Sequence, residues 1–169
     1  MTTRSEELLK ELDQEMATTR RLLERVPDDK GEWRPHPKSF PLAHLAQLVA
    51  RMPGWNTYAL RDSKLDLSQS KGYSIETTAT LLEEFDRCVA ESREAIAGAT
   101  DEDYDKPWSL TMGEQVLMTM PAREVVRQNI NHLSHHRGQL TVYLRLLDVP
   151  IPSIYGPTAD EPWGASPKQ

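Results

Sequence analysis

Asn131-His-Leu-Ser-His-His-Arg-Gly-Gln-Leu140 is the stretch from which fold and function are best read. It falls late in a long run of helical periodicity and puts His132 and His136 four residues apart. Four residues is little more than one turn, so both imidazoles leave the same helical face, one above the other. Two stacked imidazoles can bite one divalent ion but cannot complete its first shell. A catalytic transition-metal site usually has three protein ligands and an open position. The spacing alone leaves metal binding and ordinary surface or core histidines as alternatives. The His-Glu-x-x-His glutamate is missing, so the pair is not that of a zincin. His135 is rotated by about 100° from His136 and reads as an exposed imidazole or one that supports a ligand.

Around this stretch, Val125, Val126, Ile130, Leu133, Leu140, Val142, Leu144 and Leu147 supply the apolar positions of one helix. It begins at Pro121 and closes at Val149-Pro150. Upstream, Trp108, Leu110 and Met112, then Val116, Met118 and Met120, alternate about Gly113-Glu114, the period of a short hairpin. Its three methionines either line a ligand pocket or fill an irregular gap.

Three further helices are expected. The first runs from Ser5, as N-cap, to about Arg25. The second opens with Ser39 as N-cap and Pro41 in its first turn, kinks at Pro53-Gly54 and resumes to about Arg61. The third is capped by Ser74, in the box-like Ser74-Ile-Glu-Thr77, and stops at Gly98. Residues 27–37 and 62–73 read as connectors. The proline-rich tail from Ile151 to Gln169 should be extended, its apolar half lying along the bundle and its last few residues mobile. The sum is an all-α fold: a four-helix bundle with a hairpin insertion before the last helix, one domain across residues 1–169.

With 169 residues and a net charge of −6, the chain can bury one sizeable core and lacks the basic face of a nucleic-acid binder. No apolar run approaches the roughly 20 residues that span a bilayer, and the first residues lack the apolar core of a signal peptide. The single cysteine, Cys88, forms no internal disulfide and reads as a small core residue. A cytoplasmic protein without membrane or nucleic-acid partners is expected.

His44 stands among Leu42, Leu45 and Leu48 on a face expected to be buried. A histidine there must find partners, either as a hydrogen-bonded core residue or as a third ligand from a facing helix. His36 reads as surface. Gln139, three residues beyond His136, orients either a metal-bound water or a neighbouring helix. Arg137 reads as a salt-bridge partner before it reads as an anchor for an anionic substrate. Gly138 suggests close packing, Tyr143 a polar-tipped core residue, and Glu83-Glu84 and Asp101–Asp103 solvated surface.

Ser39-Phe-Pro-Leu-Ala-His44-Leu, His132-x-x-His135-His136-Arg-Gly-Gln-Leu140 and the ending Val149-Pro-Ile-Pro-Ser-Ile-Tyr-Gly-Pro-Thr-Ala-Asp160 together resemble the DinB-like (damage-inducible) family, over nearly the whole chain. The resemblance implies a bundle in which His44, His132 and His136 hold one divalent ion, commonly zinc or nickel; Gln139, His135 and Arg137, from their places on the same helix, are the candidates to support those ligands. It also implies frequent homodimers, and relatives that include thiol-dependent S-transferases and a maleylpyruvate isomerase using bacillithiol or mycothiol. The DNA polymerase that shares the name is unrelated to this pattern. The expected function is thiol-dependent S-transfer to a small electrophilic substrate, with the ion holding the thiol as thiolate at neutral pH. The alternatives are hydrolysis by metal-bound hydroxide and a non-catalytic helical metal-binding or interaction module.

Overall fold

A computed structural model describes residues 3–163. Among these, six α-helices and a three-stranded sheet follow the order α1 (Arg4–Leu23), α2 (Leu42–Arg51), α3 (Trp55–Arg61), β1 (Lys64–Asp66), α4 (Thr78–Gly98), α5 (Asp101–Asp105), β2 (Pro107–Met112), β3 (Gln115–Pro121) and α6 (Ala122–Leu146). The class is mainly α, as expected. The α1, α4 and α6 helices, with α2 and α3 as two halves of one arm, are the bundle; α1 packs on α4, and the arm packs on both α4 and α6. Leu12, Leu22 and Leu23 of α1, Leu42 and Val49 of α2, Ile96 of α4 and Leu140 and Leu144 of α6 are fully buried. Each such side chain contributes on the order of 2 kcal/mol of burial free energy.

The helix starts differ from expectation for reasons that can be named. The α1 N-cap is Thr3, two residues before Ser5: its hydroxyl accepts the Glu6 N–H at 3.2 Å, while the Glu6 carboxylate accepts the Thr3 N–H at 2.8 Å. A capping box needs an acid three residues on, and Thr3 has Glu6 where Ser5 has only Leu8. Ser5 instead bonds the Ala99 carbonyl and the Tyr104 hydroxyl. Likewise α2 has no side-chain cap from Ser39. The N–H groups of Leu42 and Ala43 donate to the carbonyls of Trp33 and Gly31, so the 31–33 connector satisfies the helix start. At α4 the cap is Thr77, not Ser74, because the buried Gln47 accepts the Ser74 N–H at 2.9 Å; Ile75 consequently stands 56% exposed instead of joining the apolar stripe.

At Pro53-Gly54 the second helix breaks into α2, a 3₁₀ turn over Met52–Gly54 and α3. Pro53 lacks the N–H that would continue the ladder. A Cβ at Gly54 would sit 3.2 Å from the sulfur of Cys88, so glycine permits the close approach of this turn to α4. Cys88 is free and buried, as expected.

The hairpin forms where alternation predicted it, with Trp108 opposite Met120 and Leu110 opposite Met118, and with a bulge between Leu110 and Thr111. Gly113 takes φ +59° at its turn. Two elements went unforeseen. The 62–73 connector contributes β1, parallel to β2, and Asp66 ties it down by accepting the N–H groups of Ser68 and Gly113, each at 2.9 Å. The acidic run 101–103 is the first turn of α5, where Thr100 and Asp103 form a capping box, so it is not simply solvated surface. Glu84 is also engaged, with Arg51 at 2.8 Å.

The tail lies along the bundle through residue 163. Ile151 is 6% exposed, Ser153 donates its N–H to Glu161 at 2.8 Å, and Glu161 pairs with Arg21 at 2.6 Å. The last few residues, expected to be mobile, fall outside the described range from residue 164 on. Among the described residues no helix is long and apolar enough to cross a membrane.

Candidate functional site

The 25 residues of α6 carry both histidines of the pair on one face. Their Nε2 atoms lie 2.9 Å apart. Gln139 fixes the arrangement from one turn further on. Its Oε1 stands 2.8 Å from Nδ1 of His136, and its Nε2 stands 3.0 Å from Nε2 of His135. These partners set the tautomers. Nδ1–H of His136 donates to Gln139, which leaves a lone pair on His136 Nε2, and Nε2–H of His132 donates to that lone pair. Gln139 therefore orients a histidine within its own helix, and its partner across the turn is His135, not a neighbouring helix.

Burial pushes the pKa of His132 down, and the neighbouring His136 and His135 push it further. For His136, burial again lowers the value more than the Gln139 bond raises it. Both rings are therefore neutral at neutral pH, the form in which imidazole binds metal. Zinc–nitrogen bonds of about 2.0–2.1 Å in tetrahedral geometry place two ligand nitrogens about 3.3 Å apart, so a pair at 2.9 Å needs to open by only a few tenths of an ångström to fill two positions of one divalent ion.

His44 lies elsewhere in the local packing. Its ring is sandwiched between Phe40, at 4.1 Å between centroids, and Tyr73, at 3.8 Å. Burial lowers its pKa too. The aromatic stack gives this histidine a partner that sequence reasoning had not considered. Among the described residues no group of three or more His, Cys, Asp or Glu side chains converges in a metal cage. The structure thus brings together two of the three expected ligands. His36 is exposed, with its Nδ1 accepting the Lys38 N–H.

Arg137 faces away from the pair and is 1% exposed. Its guanidinium pairs with Glu15 of α1 at 2.6 Å and donates to the Thr19 hydroxyl at 3.0 Å and the Tyr155 hydroxyl at 2.8 Å. It is the interhelical salt bridge that the sequence suggested, and it carries the tail as well. Tyr143, half-buried, donates to the Phe40 carbonyl and meets Trp33 edge-on. Gly138 does not serve close packing: a Cβ there would meet nothing within 4 Å.

Beside the pair, between the sheet and the α3–α6 face, is a cavity of about 280 Å³. His132 forms part of its wall and Trp55, 5.6 Å from the His132 ring, another part. Leu65 and Leu67 reach it from the 62–73 connector, and Val125 from α6. Of the three hairpin methionines, Met118 lines this cavity, whereas Met112 is 47% exposed. Sequence reasoning missed the cavity because the connector shows no alternation long enough to signal a strand. Its polar corner is braced from behind: Asn129 donates to Asn56 at 3.1 Å, and Asn56 donates to Ser92 at 3.1 Å. Asn56 and Ser92 are buried, and a buried asparagine opposite a buried serine was the available but unread signal.

Comparison with known proteins follows this architecture closely. The chain is 26% identical over 163 residues to the uncharacterised protein YrdA of Bacillus subtilis, covering 90% of this chain and 89% of that one. Among solved structures, the DinB-like protein YjoA of Bacillus subtilis superposes with a TM-score of 0.69 at 17% identity, covering 88% of this chain and 97% of its own. A DinB-like protein of Bacillus cereus gives 0.69 at 21% identity, covering 88% and 95%. A mycothiol-dependent maleylpyruvate isomerase shares the fold with a TM-score of 0.57 at 17% identity, covering 83% of this chain and 63% of that one. The DinB family model matches residues 1–166, and the chain belongs to the DinB family.

Proposed function

We propose that this protein is a metal-dependent enzyme in which His132 and His136 hold one divalent ion, zinc or nickel, with His44 as the third ligand, and that it transfers a small thiol to an electrophilic substrate. The observation that carries the reading is the 2.9 Å approach of the Nε2 atoms of two neutral imidazoles, of which His132 lines a cavity. A sealed or four-ligand site would favour a structural metal; a pair of ligands beside open space favours chemistry. The thiol is favoured over water as the nucleophile by the shared fold with a mycothiol-dependent isomerase.

When bound, such an ion would lower the pKa of a thiol from about 8.5 into the neutral range and so supply thiolate. The chain's own residues perform the remaining tasks. To offer its Nε2 lone pair, His132 would change to the Nδ1–H tautomer, its Nε2 proton passing to water as Nδ1 takes one up, so that the ring stays neutral and both Nε2 lone pairs become available. Gln139 keeps the His136 ring in the Nδ1–H tautomer and fixes its plane. His135 anchors the far end of Gln139. Trp55 and the apolar lining keep water from the face of His132 on which substrate would lie.

The test is elemental analysis of untagged protein, wild type beside His136→Ala, followed by thiol-dependence of turnover on electrophilic substrates. About one equivalent of metal that disappears in the variant is the expected result. Equal metal in both, or none in either after incubation with zinc and nickel, overturns the reading.

A further inference from the structure

The cavity beside His132 is polar along one edge only. Gln128, Asn129 and His132, all within little more than one turn of α6, form that edge. The facing walls are apolar: Leu65 and Leu67 from the connector, Leu110 and Met118 from the hairpin, and the indoles of Trp55 and Trp108. Trp108 donates its ring N–H to the Tyr58 carbonyl at 3.2 Å, so it offers the cavity carbon surface alone. The polar edge is set before any ligand arrives, since Asn129 is braced on Asn56 and Asn56 on Ser92.

This division assigns different tasks to the two sides. Among the described residues no Lys, Arg, Asp or Glu lines the cavity, so charge at the α6 edge would come from an ion held by His132 and His136. With a cation there, a neutral or an anionic head group is accommodated alike. The lining therefore leaves the charge of the head open and selects the body. A hydroxyl or amine on that body would lose its water against leucine, methionine and indole carbon without finding a partner. An apolar cavity of about 150 Å³ holds one benzene ring, so 280 Å³ has room for two fused rings or an aliphatic body of the same bulk. Indole walls favour a planar group, through offset or edge contacts.

We infer that the cavity receives the apolar body, of about two-ring bulk, of the electrophilic substrate, whose reacting polar end lies at the α6 edge by His132. Selection acts on the body and not on the charge of the head. The inference rests on the metal-dependent reading above for the chemistry at the head. It deepens that reading by naming the substrate class: aryl or bulky alkyl electrophiles, as against sugar-like or otherwise hydroxylated ones. The fit of the body in the cavity needs neither metal nor thiol.

The experiment titrates the zinc-loaded full chain with three hydroxamates that share one metal-binding head: acetohydroxamate, 2-naphthohydroxamate and gluconohydroxamate. The naphthyl probe should bind at least about 100-fold more tightly than the acetyl one, through burial of its rings. The gluconyl probe, whose body is hydroxylated, should bind no more tightly than the acetyl one. Met118→Glu puts a carboxylate into the apolar wall at a half-buried position on the edge strand β3. It should erase the naphthyl advantage while acetohydroxamate affinity and zinc content stay as in wild type. Leu67→Glu, in the connector, is the second variant with the same expectation should Met118→Glu fail to fold. Equal affinity for the naphthyl and acetyl probes, gluconyl binding as tight as naphthyl, or a naphthyl advantage that survives in the folded variant overturns the inference.

A parallel titration separates this from the metal reading. 2-Acetylnaphthalene is added to chelator-treated protein and followed by quenching of tryptophan emission, Trp55 and Trp108 lying in the wall. It should bind wild type and His136→Ala, and not Met118→Glu. Failure to take up zinc while this probe binds overturns the metal reading and supports the cavity assignment. Zinc uptake without binding of either naphthyl body overturns the cavity assignment alone, and absence of both overturns both.

Discussion

Arg137 and Glu15 form an ion pair 2.6 Å long in which the side chains are only 1% and 10% exposed, joining the middle of α6 to the middle of α1. The Tyr155 hydroxyl completes it, accepting from Arg137 and donating to the Glu15 carboxylate at 2.9 Å. The same contact thus fixes two helices and the tail. Removing either charged partner leaves the other buried and unpaired, which costs about 3–5 kcal/mol. Arg137→Ala and Glu15→Ala are each expected to lower the melting temperature by about 10 °C. The double variant Arg137→Met/Glu15→Leu should lose less than the more damaging single one. Thermal unfolding of the three proteins checks this, and a double variant worse than both singles would refute it.

Gln139 is exposed and contributes little to packing, yet it holds Nδ1 of His136. Gln139→Leu should leave stability within about 0.5 kcal/mol of wild type. Its affinity for zinc or nickel should fall by about 10- to 100-fold, the usual cost of losing the group that orients a ligating histidine. A competition titration with a chromogenic chelator measures the second quantity. A large stability loss without change in affinity would make Gln139 structural.

The ligand assignment separates the five histidines. His132→Ala and His136→Ala should each lose most bound metal, whereas His36→Ala should keep it. His135→Ala should resemble Gln139→Leu, with weakened retention and not abolished binding. His44→Ala is the decisive case, since its ring is stacked between Phe40 and Tyr73. Loss of metal there supports it as third ligand; full retention assigns it to the aromatic stack alone. Metal content of dialysed protein reads out all five.

Protonation gives a pH dependence with a definite sign. Unfolded, His44, His132 and His136 titrate near the ordinary value of about 6.5; folded, burial holds all three lower. In the window below 6.5 the unfolded chain therefore binds more protons. Stability is fully present above that value and declines as pH falls toward the folded values. Urea unfolding at about pH 7.5 and about pH 5.5, still above the carboxylate range, should show the lower stability at the acid end. In His132→Asn/His136→Asn the difference should shrink. An unchanged difference would place its origin outside the pair.

Amphipathic period and local breakers made the bundle legible from sequence. The stripe of α6, the stop at Gly98, the break at Pro53-Gly54 and the turn at Gly113-Glu114 all depend on interactions within a few residues. The i, i+4 spacing of His132 and His136 belongs to the same class, because one helical turn fixes it. Contacts between distant segments were decided only by the tertiary structure. Backbone carbonyls of residues 31 and 33 start α2, Gln47 draws Ser74 away from capping α4, and β1 exists because β2 offers it an edge. His44 could be placed near apolar neighbours, but its stack with Tyr73, 29 residues further along, could not be read from local pattern. The cavity is the clearest case: its walls come from α3, the connector, the hairpin and α6. Periodicity reports which face of an element is apolar, whereas a cavity depends on what the opposing elements leave unfilled.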